Sequence, residues 1–380
     1  MQPIKRIVII AGEESGDLHA AHFIHQLKAN DPTLEITGIG GRHMQAAGVH
    51  LVSDIARFAV TGVSEVVRNI QLLYKTFKDI KIHLATQKPD LLILVDFPGF
   101  NLRLAKFVKK SLHIKTIYYI SPQIWAWKAS RIKLIRECVD KMAVILPFEK
   151  KIYEDAQVPV AFVGHPLVEK VSQHKNTNDM RLKLGLPLNK RIVALLPGSR
   201  MNEIKQHMPV LNKTAIKLCK QMDDIHFVIP VAGTIDPLLI SSYFTDPSVP
   251  FTLIQGQAVE TASCSDCAVV ASGTASLECA LLCIPMCIIY KVSHLTYMAA
   301  FTLMKVRYIG LCNLLQNEMI VPELLQYDCN PEELSRVVHT LLNDSSVYLR
   351  MKRRLEALKL SLSAQKADCS IAALIESEMQ

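Results

Sequence analysis

The side chains best equipped for chemistry in this sequence stand where runs of β-branched and aliphatic residues stop. In VDFPGFN, residues 95–101, Asp96 follows the run Leu91 to Val95 and precedes Pro98 and Gly99. A carboxylate at the carboxyl end of a strand is well placed to act as a general base, and it is equally able to cap a helix or form a turn. In AGEESGD, residues 11–17, Gly12 and Gly16 flank Glu13, Glu14 and Ser15, with a helix expected to open near Asp17. Glycine lets a ligand approach the backbone closely, and a helix start offers free N–H groups. Two carboxylates there repel a phosphate but suit sugar hydroxyls, and neither GxGxxG nor a P-loop lysine is present.

An anion is better served in the second half. PGSR, residues 197–200, sets Gly198 and Ser199 before Arg200. The turn supplies backbone donors and the guanidinium a permanent forked cation, a combination suited to a diphosphate. In ASGTASLE, residues 271–278, Ser272, Gly273 and Thr274 open a helix and Glu278 follows one turn in, so amides can hold a diphosphate while the acid accepts from ribose hydroxyls. Gln255 and Gly256, just past the run Phe251 to Ile254, complete the expected nucleotide-binding set. This is the arrangement of a nucleotide-sugar lobe without Walker or Rossmann motifs. SPQIWAWK places Trp125 and Trp127 beside Lys128 and Arg131, either as a sugar or lipid platform or as buried packing. His19, His22 and His25 are spaced to drift around a helix, so an exposed face is expected rather than a metal site.

Positioning these loops requires strands alternating with helices. Strand-like runs are Ile4 to Ala11, Leu34 to Gly38, Leu91 to Asp96, Lys115 to Ile120, Met142 to Leu146 and Val160 to Val163. After the polar stretch Ser172 to Lys190 come Ile192 to Leu196, His226 to Val231, Phe251 to Ile254, Cys267 to Val270 and Met286 to Tyr290. The alternation predicts an α/β fold of two doubly wound parallel-sheet lobes. The expected boundaries are a first lobe 1–171, a linker 172–190, a nucleotide-binding lobe 191–345, and helices 346–380 returning to the first lobe. A chain of 380 residues suits two lobes of ~150 to 200 each.

Composition narrows the class. Half the residues are hydrophobic and 21% charged, which argues against disorder, and the formal charge of +8 favours an anionic partner such as phosphate, nucleic acid or an acidic bilayer. The amino terminus shows no signal core, so a cytoplasmic protein is expected. The most apolar stretch, Cys279 to Tyr290, is too short for the ~20 residues that cross a bilayer. Ten cysteines are then expected as reduced core thiols, the Cys264/Cys267 pair included. Between Ile55 and Ile82, Val60, Val63, Val67, Ile70, Tyr74 and Phe77 recur near helical spacing among Arg57, Arg68, Lys75, Lys78 and Lys81. Such a stripe either faces the core or lies on an anionic membrane surface. Met298 to Arg307 is a second candidate of this kind.

Taken in order, AGEESGD, VDFPGFN, SPQIWAWK, LPFEK, GHPL, LLPGSR, ASGTASLE and NLL with PELLQ resemble the lipid-A-disaccharide synthase family over nearly the whole chain. The resemblance implies a two-lobed GT-B fold. It also implies an inverting, metal-independent glycosyl transfer from UDP-2,3-diacylglucosamine to 2,3-diacylglucosamine 1-phosphate (lipid X), giving a β-1,6-linked disaccharide phosphate and UDP. No cofactor is implied. Asp96 matches the family's proposed catalytic aspartate, Arg200 its essential arginine and Asn313 its active-site asparagine, while Glu14 remains a rival base. Many relatives carry a second acid where this chain has Gly99, which favours Asp96. Gly16, Asp17, Val63, Ile70, Phe77, Trp125 and Trp127 are then expected on the acceptor and lipid side. The expected setting is the inner face of the inner membrane, without nucleic acid, and compatible with a homodimer. A UDP-sugar 2-epimerase shares the fold and the UDP lobe and is the alternative enzyme; a two-lobed binding protein is the alternative without catalysis.

Overall fold

The apolar runs form strands because they are buried on both sides, as in a parallel sheet with helices on each face. The computed structural model describes residues 5–54, 63–122, 131–172, 178–292, 307–364 and 366–379. In the first half lie β1 (Arg6–Ala11), β2 (Glu35–Gly40), β3 (His50–Asp54), β4 (Leu91–Val95), β5 (Lys115–Tyr119), β6 (Lys141–Val144) and β7 (Val160–Phe162). Their spatial order is β3-β2-β1-β4-β5-β6-β7, every pair parallel. Ile7 and Ile9 of β1 face one core with Phe23, Ile24 and Leu27 of the helix Glu14–Asn30. Val8 and Ile10 face the other, with Leu104, Ala105 and Val108 of the helix Pro98–Ser111.

The second sheet comprises β8 (Arg191–Leu196), β9 (Ile225–Val231), β10 (Phe251–Gln255), β11 (Cys267–Ala271), β12 (Met286–Tyr290) and β13 (Glu323–Leu325), again all parallel, in the order β10-β9-β8-β11-β12-β13. The sequence reading omits β3 and β13, because HLVSD is half polar and ELL has only three residues. In each sheet the strand order reverses once, between β1 and β4 and between β8 and β11. Ligands of doubly wound sheets bind outside the carboxyl ends of the strands at such points. The four loops that begin at Gly12, Asp96, Pro197 and Ser272 are the ones that leave these strands.

By contacts the chain divides into Met1–Pro166 with Gln365–Gln380, and Leu167–Ala364. Of the carboxyl-terminal segment expected to return to the first lobe, the helix Ser345–Ala364 groups with the second unit. The helix Ile371–Glu378 buries Ile371, Leu374 and Ile375 in the first unit's core, and Asp368 accepts from the Phe162 N–H at 2.9 Å. Part of the expected linker is docked structure: Arg181, on the helix Asn178–Lys183, is buried and donates to the Cys264 carbonyl at 3.0 Å and the Asp266 carboxylate at 3.1 Å. The ten cysteines are free thiols, and Cys264 and Cys267 are fully buried.

Candidate active-site residues

At the first reversal the loops after β1 and β4 are packed together. A Cβ on Gly12 would stand 2.2 Å from the Phe97 ring, so only glycine lets these loops meet. Asp96 and Phe97 both adopt left-handed backbone, φ 45° and 49°. Each costs a non-glycine residue ~1 to 2 kcal/mol, a strain that survives only where the surroundings impose it. Here the Asp96 carbonyl accepts from the Tyr118 hydroxyl at 2.6 Å and the Asn101 amide at 2.8 Å, and its N–H donates to the Tyr119 carbonyl at 3.0 Å. The half-buried Asp96 carboxyl is raised from 3.8 to about 7, by burial first and by the neighbouring Glu13 charge second, against the Phe97 N–H that lowers it. A carboxylate poised near neutrality is a competent general base.

Glu14, the rival, turns elsewhere: it pairs with Arg42 at 2.8 Å and His43 at 3.3 Å, so the second carboxylate felt by Asp96 is Glu13. Gly16 and Asp17, expected on the acceptor side, build the loop instead. Gly16 is buried against Ala11 and Val95. Asp17 is fully buried and accepts from the N–H groups of Gly41, His43 and Met44 at 2.7, 2.9 and 3.1 Å, anchoring the start of the helix Arg42–Ala46. Glu14, Asp17 and His43 are near enough to suggest a metal group, but the Asp17 oxygens are already engaged by those donors. Next to this loop His165 is buried, and its imidazole falls to about 3 through burial and the neighbouring His19, so it is neutral. Gly99 is exposed with open space around it.

In the second unit Arg200 is the N-cap of the helix Met201–Cys219. One Glu203 oxygen accepts from the Ser199 and Arg200 N–H groups at 3.0 and 3.3 Å, and the other faces the Arg200 guanidinium at 3.4 Å. The turn needs glycine at 198, where φ is 115° and a Cβ would lie 2.2 Å from Glu203. His207, fully buried, ties this loop down: its ring accepts the Lys291 N–H at 3.0 Å and so donates from Nδ1 to the Pro197 carbonyl at 2.6 Å. Burial lowers its pKa, which keeps it neutral.

The helix Thr274–Leu281 opens with Gly273 and Thr274 exposed and no side chain capping it. Its first N–H groups carry the positive end of the helix dipole. Ser272 donates to the Ile309 carbonyl at 3.1 Å, and Glu278 is half-buried one turn in. Gln255 is exposed at the end of β10, followed by Gly256 at φ 68°. Asn313, expected in the active site, is instead fully buried with every amide atom committed. Its Oδ1 accepts from the Ile320 and Val321 N–H groups at 2.8 and 3.0 Å, and its Nδ2 donates to the Val321 carbonyl at 2.8 Å and to Glu323 at 2.7 Å.

On the helix Val63–Gln87, Thr76, Ile80 and Leu84 are buried, whereas Tyr74 is 77% exposed. Phe77 is half-buried and meets Phe100 edge-on at 5.2 Å, so the core takes this part of the stripe. The side chains of Val63 and Ile70, and the whole of Trp125 and Trp127, lie outside the described residues. Asn101, Tyr118, Glu203, His207 and Glu323 escape the sequence reading. Glu203 alone carries a local signal, the acid three residues into a helix that completes a capping box. Asn101 reaches back five residues to the Asp96 carbonyl, and Tyr118, His207 and Glu323 act through contacts ten or more residues away.

A family model described as lipid-A-disaccharide synthetase matches residues 7–379. Lipid-A-disaccharide synthase 1 of Legionella pneumophila subsp. pneumophila (strain Philadelphia 1) is 58% identical, over 100% of this chain and 99% of its own. The synthase of Nitrosococcus oceani is 41% identical, over 94% and 92%. Among solved structures, the kitacinnamycin glycotransferase superposes with TM-score 0.60 at 14% identity, over 99% of this chain and 100% of its own. A UDP-GlcNAc 2-epimerase from Neisseria meningitidis bound to UDP-GlcNAc superposes with TM-score 0.61 at 13%, over 98% and 99%. These last two likenesses concern the fold alone, which is of the two-lobed GT-B kind.

Proposed function

Because the chain belongs to the lipid-A-disaccharide synthase family and is a glycosyltransferase, we propose how its own residues carry out the transfer from UDP-2,3-diacylglucosamine to lipid X. The acceptor's 6-hydroxyl gives its proton to Asp96 as its oxygen attacks the anomeric carbon from the face opposite UDP. The bond from that carbon to the diphosphate oxygen breaks with its electron pair leaving on UDP. The product is the β-1,6-linked disaccharide phosphate. General-base help of this kind is worth ~10² to 10⁴-fold. Charge developing on the diphosphate is met by Arg200 and the N–H groups that open the helix Thr274–Leu281, with Glu278 accepting from the ribose. Those fixed cationic groups take the place of a divalent metal.

The observation that carries this reading is the Asp96 carboxyl, raised to about 7 at the end of β4 beside the point where the strand order reverses. The uncapped helix start at Gly273 and Thr274, both exposed residues beside the second reversal, supports the donor side. Substrates bearing acyl chains have to be taken from a bilayer, and among the described residues no helix is long and apolar enough to cross one. We therefore read the protein as acting at the inner face of the inner membrane, drawn there by its +8 charge, with Val63, Ile70, Trp125 and Trp127 on the lipid side. Mass spectrometry of products from UDP-diacylglucosamine plus lipid X, with and without EDTA, tests the reaction. The disaccharide phosphate should form in both. Turnover of UDP-N-acetylglucosamine alone would point to the epimerase, and loss in EDTA restored by magnesium would overturn metal independence.

A further inference from the structure

Asn313 has no atom left for a substrate, and the atoms it touches lead toward the donor site. Its amide holds one oxygen of Glu323 at 2.7 Å. That same oxygen accepts from the Gly310 N–H at 2.9 Å, and its twin accepts from the Ile309 N–H, also at 2.9 Å. A Cβ on Gly310 would stand 2.3 Å from the end of the Ile288 side chain, so this segment lies close against β12. The Ile309 carbonyl in turn receives the Ser272 hydroxyl at 3.1 Å. The chain of contacts thus runs from Asn313 through Glu323 and Ile309 to the residue just before the exposed helix start. With three donors aimed at its two oxygens, Glu323 serves here as an acceptor-only carboxylate, a role an amide cannot copy.

We infer that Glu323 is a positioning residue for the leaving diphosphate: held by Asn313, it fixes Ile309 and, through Ser272, the orientation of the N–H groups at Gly273 and Thr274. This rests on the proposed placement of the diphosphate at that helix start. It also assigns Asn313 a role that requires no contact with substrate, in place of the active-site role expected from the resemblance. Preorganised donors lose much of their value when free to reorient, so the effect belongs on donor affinity and on transition-state charge stabilisation. The acceptor side should be untouched.

UDP affinity by calorimetry, and KM for donor and for lipid X, are measured on the full-length protein for Glu323→Gln, Ser272→Ala, Asn313→Asp and the double variant Asn313→Asp with Glu323→Gln. Glu323→Gln sets an amide N–H against a backbone N–H and should weaken UDP binding roughly tenfold or more, with KM for lipid X unchanged. Ser272→Ala should weaken it severalfold. Asn313→Asp places two carboxylates together, and pairing it with Glu323→Gln, whose amide then donates to the new carboxylate, should recover part of the UDP affinity lost in Asn313→Asp alone, while the clash with the Gly310 N–H persists. A substrate-touching Asn313 would show no such rescue. Should Glu323→Gln fail to fold, Ser272→Ala decides, because it removes one hydroxyl at a half-buried site. Unchanged UDP affinity in folded Glu323→Gln, or in Ser272→Ala, overturns the inference. Arg200→Ala separates the two levels: if it too binds UDP like the wild type, the donor-site reading itself has failed, and if it alone weakens binding, only the role of Glu323 has.

Discussion

Replacing Asp96 by asparagine should stabilise the protein while disabling it, and the size of the gain should depend on pH. In the folded chain this carboxyl holds its proton up to about 7, whereas an unperturbed aspartate gives it up near 3.8. Between those values the folded state binds more protons than the unfolded one, so wild-type stability falls as pH rises from about 4 to 7 and levels off above. The difference of roughly three pH units is worth ~4 kcal/mol at ~1.4 kcal/mol each, and solvent access to a half-buried group reduces it to ~2 to 3 kcal/mol. Asparagine has no charge to desolvate and escapes this loss. At ~2 to 4 °C per kcal/mol, the variant should melt roughly 4 to 12 °C above the wild type at pH 8, with the gap closing toward pH 4.5. Thermal melts of both proteins at half-unit steps from pH 4.5 to 8.5 measure it. In parallel, wild-type kcat should rise through an apparent pKa near 7, and Asp96→Asn should lower turnover at least ~10²-fold with UDP affinity little changed. A melting gap that does not vary with pH, or a wild type more stable than the variant at pH 8, would refute the claim that the carboxyl is raised by burial. A kcat profile flat across pH 6 to 8 in a chemistry-limited assay would remove Asp96 as the base.

Arg200→Ala and Glu278→Ala should each raise the UDP dissociation constant at least ~10-fold, as expected for loss of a charged hydrogen bond worth ~1.5 to 3 kcal/mol; calorimetry showing wild-type affinity in both would move the nucleotide site. Asp17→Ala should destabilise the first unit by ~2 kcal/mol or more, because the N–H groups of Gly41, His43 and Met44 lose their acceptor, and a melting temperature equal to the wild type's would show that water replaces it without cost. Binding to vesicles should require anionic lipid and weaken with salt, since each basic residue near the surface contributes only ~1 kcal/mol. Val63→Ser with Ile70→Ser should lower activity on long-chain substrates but spare short-chain analogues. Equal loss on both substrates would assign those residues to the core, as Phe77 is assigned by its packing on Phe100.

Local pattern carried much of this protein. A buried parallel strand announces itself by its aliphatic run, and the loop that ends it by glycine and small polar residues, so Asp96, Arg200 and the stretch Ser272 to Thr274 could be located at strand ends before any fold was known. The alternation of strands and helices on either side of a polar stretch likewise predicts two doubly wound sheets. What one residue's neighbours in sequence cannot disclose is which strands lie side by side. The orders β3-β2-β1-β4 and β9-β8-β11 arise from packing among distant segments, and they alone bring Gly12 against Phe97 and set each pair of motif loops at a reversal. Charge states follow the same rule. Asp96 looks like any aspartate until burial and Glu13 raise it to about 7. Asp17 and Asn313 look as available as any polar residue in a motif, yet both are spent on backbone groups 24 to 27 and 7 to 8 residues away. Hydrogen bonds saturate and desolvation depends on every surrounding atom, so the chemical availability of a side chain was decided only when the chain closed around it.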